Sequence, residues 1–213
     1  MMNIAKLSDE GESHLTMSPG ERFKQALAAF DEYNANDPHQ EEWEGKWYPK
    51  EVLYAQRMSE QLSRYAPDAA EHIRLAARCQ HIGRWEIPRE QYPMDRKGYL
   101  QWRTVLKSLH ATIAGKILLR CGYDNDTISN VTFILLKKEL FNHPDTQLLE
   151  DVICLVFVAH YLEAFAARHD DDKVMNILRK TIKKMSTRAI HSVGQLPLSE
   201  KTKELIQRAI ASC

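Results

Sequence analysis

A chain of 213 residues, 44% hydrophobic and 27% charged, carries enough apolar material for one substantial core and reads as an ordinary globular protein. Its 29 basic and 29 acidic residues cancel, which removes the broad cationic surface expected of a nucleic-acid or anionic-membrane binder. No run approaches the roughly 18 apolar residues of a membrane span, and the N-terminal stretch has no apolar run after its first lysine, so the expected location is the cytoplasm.

In chain order, the first 17 residues are polar and read as a mobile segment; residues 18–213 read as a single domain. Ser18, Pro19 and Glu21 then spell an N-cap, a first-turn proline and a capping box, followed by Phe23, Ala26, Leu27 and Phe30 on one helical face. The stretch "NANDPHQEEWEGKWYP" reads as an irregular connector whose Trp43, Trp47 and Tyr48 are expected to pack against the domain. Pro49 opens a second helix through Tyr65, and "APDAA" starts a third running to Ile82, the two forming a helical hairpin. A loop with two prolines and Arg84, Arg89 and Arg96 leads into a long helix from about Tyr99 to Arg120, stopped by Gly122.

A fifth helix follows, capped by the Asp/Asn cluster at 124–126. "DTQLLEDVICLVFVAHYLEAFAARH" is apolar nearly all round and is expected to run through the core, so its Glu150 and Asp151 need partners. Adjacent carboxylates on a helix point about 100° apart; at most one can face a given pocket, and the other is expected to anchor a cation such as Lys137 or Lys138. Two amphipathic helices complete the chain, Asp172 to about Met185 and Ser199 to the C-terminus. The "KTIKKM" stretch reads as a solvated basic face, with an anion-binding rim as its functional alternative. The fold class is therefore all-α. Cys79, Cys121, Cys154 and Cys213 are scattered, without a Cys-x-x-Cys pair, and read as buried thiols.

The segment "YAQRMSEQLSRYAPDAAEHIRLAARCQHIGRWEIP" resembles the HD-domain phosphohydrolase pattern, in which a helix bearing a metal-binding His is followed by an Ala-rich helix ending in His-Asp-Ile-Gly. Downstream, "HATIAGKILLRCGYDNDTISNVTFILL" is similar to the auxiliary-histidine helix of that superfamily, and "LEDVICLVFVAHYLEAF" to the helix bearing its last metal-binding Asp. The resemblance covers about residues 50–168 and implies an HD-like helical bundle with additional N- and C-terminal helices. "LAARCQHIGRWEIPR", "YPMDRKGYLQWR", "LEDVICLVFV" and "KTIKKMS" more closely resemble a divergent branch described only as a domain of unknown function.

The metal-binding pattern itself is altered. Tyr54 stands where the resemblance places the first His, and Gln80-His81 replaces the His-Asp pair. A phenol and a carboxamide are poor substitutes for imidazole, so a standard dinuclear site is not expected. Two readings stay open. His81, His110 and Asp151, or Glu150 in its place, would form a displaced site for one divalent metal, Mn, Fe or Zn. Alternatively the pocket is metal-free, with His81, His110, Glu150 and Asp151 as the acid-base candidates.

Arginines interleaved with aromatic residues favour an anionic small molecule or nucleotide: guanidinium groups grip phosphate, and aromatic faces stack bases. The expected ligand contacts are Tyr54, Arg57, Gln80, Arg84, Arg89, Arg96, Trp102 and Arg103. The bland alternative pairs these arginines with Glu86, Glu90 and Asp95 while the aromatics fill the core. The functional expectation is an HD-like protein acting on, or recognising, a phosphorylated small molecule. Its alternative is a non-catalytic ligand-sensing or protein-interaction module.

Overall fold

A computed structural model describes residues 18–212. Residues 1–17, expected to be mobile, and Cys213 lie outside the described residues. The fold is all-α apart from one small hairpin: α1 (Pro19–Asn34), β1 (Gln40–Trp43), β2 (Lys46–Pro49), α2 (Lys50–Tyr65), α3 (Glu71–Arg78), α4 (Arg96–Arg120), α5 (Asn125–Leu135), α6 (Pro144–His160), α7 (Leu162–Ala166), α8 (Asp171–Ile182), α9 (Thr187–Val193) and α10 (Glu200–Ala211). No helix among the described residues is long and apolar enough to cross a membrane.

Local chemistry fixes most helix starts. The α1 capping box forms in both directions, with Ser18 Oγ accepting from the Glu21 amide and the Glu21 carboxylate accepting from the Ser18 amide. Asp95, Asp124, Asp170, Ser186 and Ser199 each accept an amide of the turn that follows them. Gly98, in the first turn of α4, has no room for a side chain: a Cβ there would lie 2.1 Å from the Pro93 carbonyl oxygen. The close approach ties the arginine-rich loop to α4.

Three expectations change. The connector before α2 is a β-hairpin with Trp43 paired to Lys46; Glu44 and Gly45 at its tip both have positive φ, as a tight two-residue turn requires. Trp47 consequently points outward, 67% exposed, and Trp43 packs on one side only, its ring under the Arg57 guanidinium and edge-on to His160. Second, α3 ends at Arg78, and a turn at 79–83 replaces its last residues because Gly83 adopts φ +69° and its amide is taken by Asn34 Oδ1. Third, α8 ends at Ile182, and the polar stretch after it starts a separate short helix, α9.

One connected core holds the bundle, with Leu149, Val152, Leu155 and Val156 of α6 buried against α2, α3 and α5. Cys79, Cys121 and Cys154 are buried free thiols, in keeping with the sequence reading. Asp151 sits at the junction of α6, α2 and α9. Its Oδ1 accepts from the Ser186 amide (2.8 Å) and Gln147 Nε2 (2.9 Å), and its Oδ2 accepts from Ser186 Oγ (2.6 Å) and Tyr65 Oη (3.1 Å). Asp151 thus caps α9 from a distance and fastens the end of α2. Replacing it by alanine strands several buried donors, and we expect Asp151→Ala to lower stability by about 3 kcal/mol, seen as a lower urea midpoint. An unchanged midpoint would remove this role.

Candidate functional site

The turn that closes α3 places His81 against the first turns of α2 and the middle of α4. Its ring stacks on Tyr54, with centroids 4.2 Å apart and an 18° interplanar angle, and lies 5.8 Å from the His110 ring. Arg84 Nη1 is 3.2 Å from His81 Nε2, and Glu51 Oε2 is 3.4 Å from His81 Nδ1. Because a guanidinium only donates, Nε2 is the acceptor and the proton belongs on Nδ1, facing Glu51. Burial holds the His81 pKa well below its usual value, and the charges of Arg84, Arg103, Lys137 and Lys50 push the same way. The Glu51 contact is therefore that of a neutral imidazole.

His110 is neutral for related reasons. Its Nδ1 donates to the Ile82 carbonyl at 2.6 Å, and burial first, then His81, push its pKa down to about 3. The Tyr54 hydroxyl stays protonated, raised well above 10 by burial and by Glu51.

Glu51 is the residue that the sequence reading missed. It lies one helical turn before Tyr54, on the same face of α2. Its amide is held by Asp37 Oδ2 at 3.1 Å, which fixes the helix start. The side chain is only 6% exposed and its carboxylate forms no hydrogen bond among the described residues; Oε2 is a buried atom without a partner, and Oε1 is 3.8 Å from Arg84 Nε. Burial raises its pKa to about 7, against the opposing pull of Arg84. Its i−3 spacing from Tyr54 is the sequence signal that could have found it.

Glu51, Lys50, Arg84, Trp85 and Trp102 line part of a cleft of about 200 Å³. A larger one, about 530 Å³, lies between α1 and the end of α4, but its only charged side chains are Glu32 and Arg120. Volume and chemistry point to different places. Convergent polar groups and perturbed titrations mark the smaller cleft as the candidate site.

The other expected residues divide. Trp102 is buried, donates Nε1–H to the Ile87 carbonyl at 2.8 Å and lies under Arg84 at 4.8 Å. Arg103 is half-buried and close enough for its charge to act on both His81 and Glu150. Gln80 is buried with Oε1 unpartnered. Arg57, by contrast, is committed to the hairpin, pairing with Glu41 and donating to Tyr161 Oη at 2.9 Å. Arg89 lines the smaller cleft, but its guanidinium is engaged by its own loop, donating to the Tyr92, Pro93 and Asp95 carbonyls. Arg96 is exposed at the first position of α4.

Glu150 anchors Lys137 in a buried pair, with Lys184 Nζ 3.6 Å away; although burial alone would raise its pKa, Lys137 and Lys184 bring it below the usual carboxylate range. Lys184 thus brings the "KTIKKM" face to the rim of the cluster.

The structure does not bring the expected metal set of His81, His110 and Asp151 together. Among the described residues no group of three or more His, Cys, Asp and Glu side chains is placed to hold a metal. The reasons are local: Asp151 spends its oxygens on Ser186, Tyr65 and Gln147, and the His81 lone pair accepts from Arg84.

A family model described as a domain of unknown function, DUF4202, matches residues 24–206. No curated protein and no solved structure matches the chain.

The titrations make opposite contributions to stability. Glu51 has a folded pKa above its unfolded value, so its protonation stabilises the fold at low pH, and that contribution is lost as pH rises from about 4.5 through about 7. His110, with a depressed pKa, costs stability as pH falls from 6.5 towards about 3. We expect Glu51→Gln to raise the urea midpoint at pH 8, by about 2 kcal/mol in stability, and the gain to shrink towards pH 5. A variant no more stable than wild type at pH 8 would contradict the burial of an ionised Glu51.

Proposed function

The chain belongs to this family, DUF4202, and we propose that it recognises a phosphorylated small molecule or nucleotide at the His81 cleft without a bound metal. The observation that carries the proposal is the convergence of Arg84, Arg103, Lys137 and Lys50 on one uncharged imidazole, beside a carboxyl group that can shed its charge near neutral pH. The cleft itself is lined by Lys50, Arg84 and Arg89 together with Asp37, Glu51 and Glu90, so the cations outnumber the anions once Glu51 sheds its charge, and a phosphate beside Arg84 is then favoured. Trp102 and Trp85 supply apolar wall next to those cations, which suits a ligand with an organic portion as well as a charged one.

The resemblance to HD-domain phosphohydrolases supports the same substrate class, and on this reading the family descends from that fold. His81 and His110 then occupy the ancestral pocket, and Arg84, Arg103 and Lys137 neutralise the phosphate in place of metal. Hydrolysis is the second reading, favoured by Glu51, whose pKa suits proton exchange at neutral pH. In that version turnover disappears in His81→Ala while the fold persists. Ligand sensing leaves no turnover to lose.

The test is a thermal-shift screen against nucleotides and phosphorylated metabolites, each with manganese and with chelator. A ligand at about 100 times its dissociation constant stabilises the fold by roughly 2.7 kcal/mol, a readily measured shift. We expect stabilisation that persists in chelator and weakens at least about ten-fold in affinity in Arg84→Ala and in Arg103→Ala. Stabilisation that requires manganese would overturn the metal-free reading.

A further inference from the structure

The fold gains nothing from Glu51 as it stands. Its carboxylate is almost fully buried, forms no hydrogen bond among the described residues, and approaches His81 and Arg84 only at 3.4 and 3.8 Å. A buried carboxylate with no donor is costly, and a glutamine or an apolar side chain would serve packing better. Its neighbours show that pairing was available: Asp37, at the start of the hairpin segment, accepts from the amides of His39 and Glu51. Buried carboxylates elsewhere in the molecule are likewise paired, Glu150 by Lys137 and Asp151 by Ser186 and Tyr65. Glu51 differs from them in lining the cleft.

The Nδ1 proton of His81 faces Oε2 only at 3.4 Å, too long for a good hydrogen bond, so the carboxylate still lacks a close donor, and a ligand entering the cleft can bring one. Arg84, on the Oε1 side of the carboxylate, is the cation best placed for a ligand's anionic group, so donor and anion must lie within a few ångströms of each other in the ligand. A hydroxyl on the carbon next to a phosphate ester has that geometry. An amine would instead meet Arg84 and Lys50 as a like charge.

We propose that Glu51 is a ligand-contacting residue that accepts a hydrogen bond from a hydroxyl adjacent to the ligand's phosphate ester, so that the cleft selects phosphorylated polyols, sugars or ribosides over simple alkyl phosphates. The inference rests on the anion-binding reading above and adds the part of the ligand that the cations do not recognise.

Isothermal titration of the full-length protein at pH 8 with glycerol 3-phosphate, n-propyl phosphate and inorganic phosphate separates the two. Glycerol 3-phosphate is expected to bind about ten-fold more tightly than n-propyl phosphate, as a hydrogen bond to a charged acceptor allows. Glu51→Leu, which removes the acceptor, brings that ratio to about one while inorganic phosphate binds at least as well as to wild type. Glu51→Gln keeps an uncharged acceptor, gives an intermediate ratio, and serves if the leucine variant does not fold. Equal binding of the two esters by wild type, or a ratio unchanged in either variant, would overturn the role of Glu51 and leave the anion site standing. Failure of all three compounds to bind wild type would overturn the anion reading and this inference with it.

Discussion

Two adjacent carboxylates in the middle of the most apolar helix set the terms for the rest of the structure. Glu150 and Asp151 are both buried, and a carboxylate out of water must have its charge or its lone pairs met. They point to different sides of α6 and are satisfied differently, Asp151 by hydroxyl, amide and carboxamide donors and Glu150 by lysines. The first arrangement docks α2 and α9. The second requires Lys137 to stand inside the bundle, and its backbone adopts φ +54° in the connector after α5. The Lys137–Glu150 pair thus sits on the side of the bundle near His81, with its two charges largely cancelling.

The cations near His81 support the anion-binding reading proposed for the cleft. His81 and His110 would be adequate metal ligands in other surroundings, but here the Nε2 lone pair of His81 accepts from Arg84, and among the described residues no group of three or more His, Cys, Asp and Glu side chains is placed to hold a metal. Glu51 fits the same logic: a carboxyl that can be neutral near pH 7 does little to repel an anionic ligand and still offers oxygen atoms to it.

The helical architecture was legible from sequence because it rests on local signals. Caps at Ser18, Asp124 and Ser199 and the glycine after α4 follow from side-chain chemistry within a few residues, and α6 follows from its apolar run. The hairpin was hidden because its two strands are four residues each, with charged residues at positions that an alternation test would read as loop. Trp43 and Trp47 were expected to pack against the domain, and the hairpin leaves them 40% and 67% exposed. The candidate site was legible in part. Tyr54, His81, His110 and Arg84 were found from motif position, and Lys137 was named as a partner for the acidic pair. Asp151 and Arg57 went astray because sequence order shows which helix a side chain is on but not which neighbour claims it. Glu51 was missed because a first-turn acid is usually exposed, and only its i−3 spacing from Tyr54 places it on the buried face of α2.

The central claim is that an uncharged His81, ringed by cations, marks an anion site that needs no metal. The most direct measurement follows the imidazole nitrogens of His81 by ¹⁵N NMR while inorganic phosphate is added in the presence of chelator. The account predicts a neutral ring protonated on Nδ1 at pH 6 before phosphate, and resonances that shift and saturate as phosphate is added. A ring already cationic at pH 6, or His81 resonances that stay fixed while phosphate binds elsewhere, would contradict it.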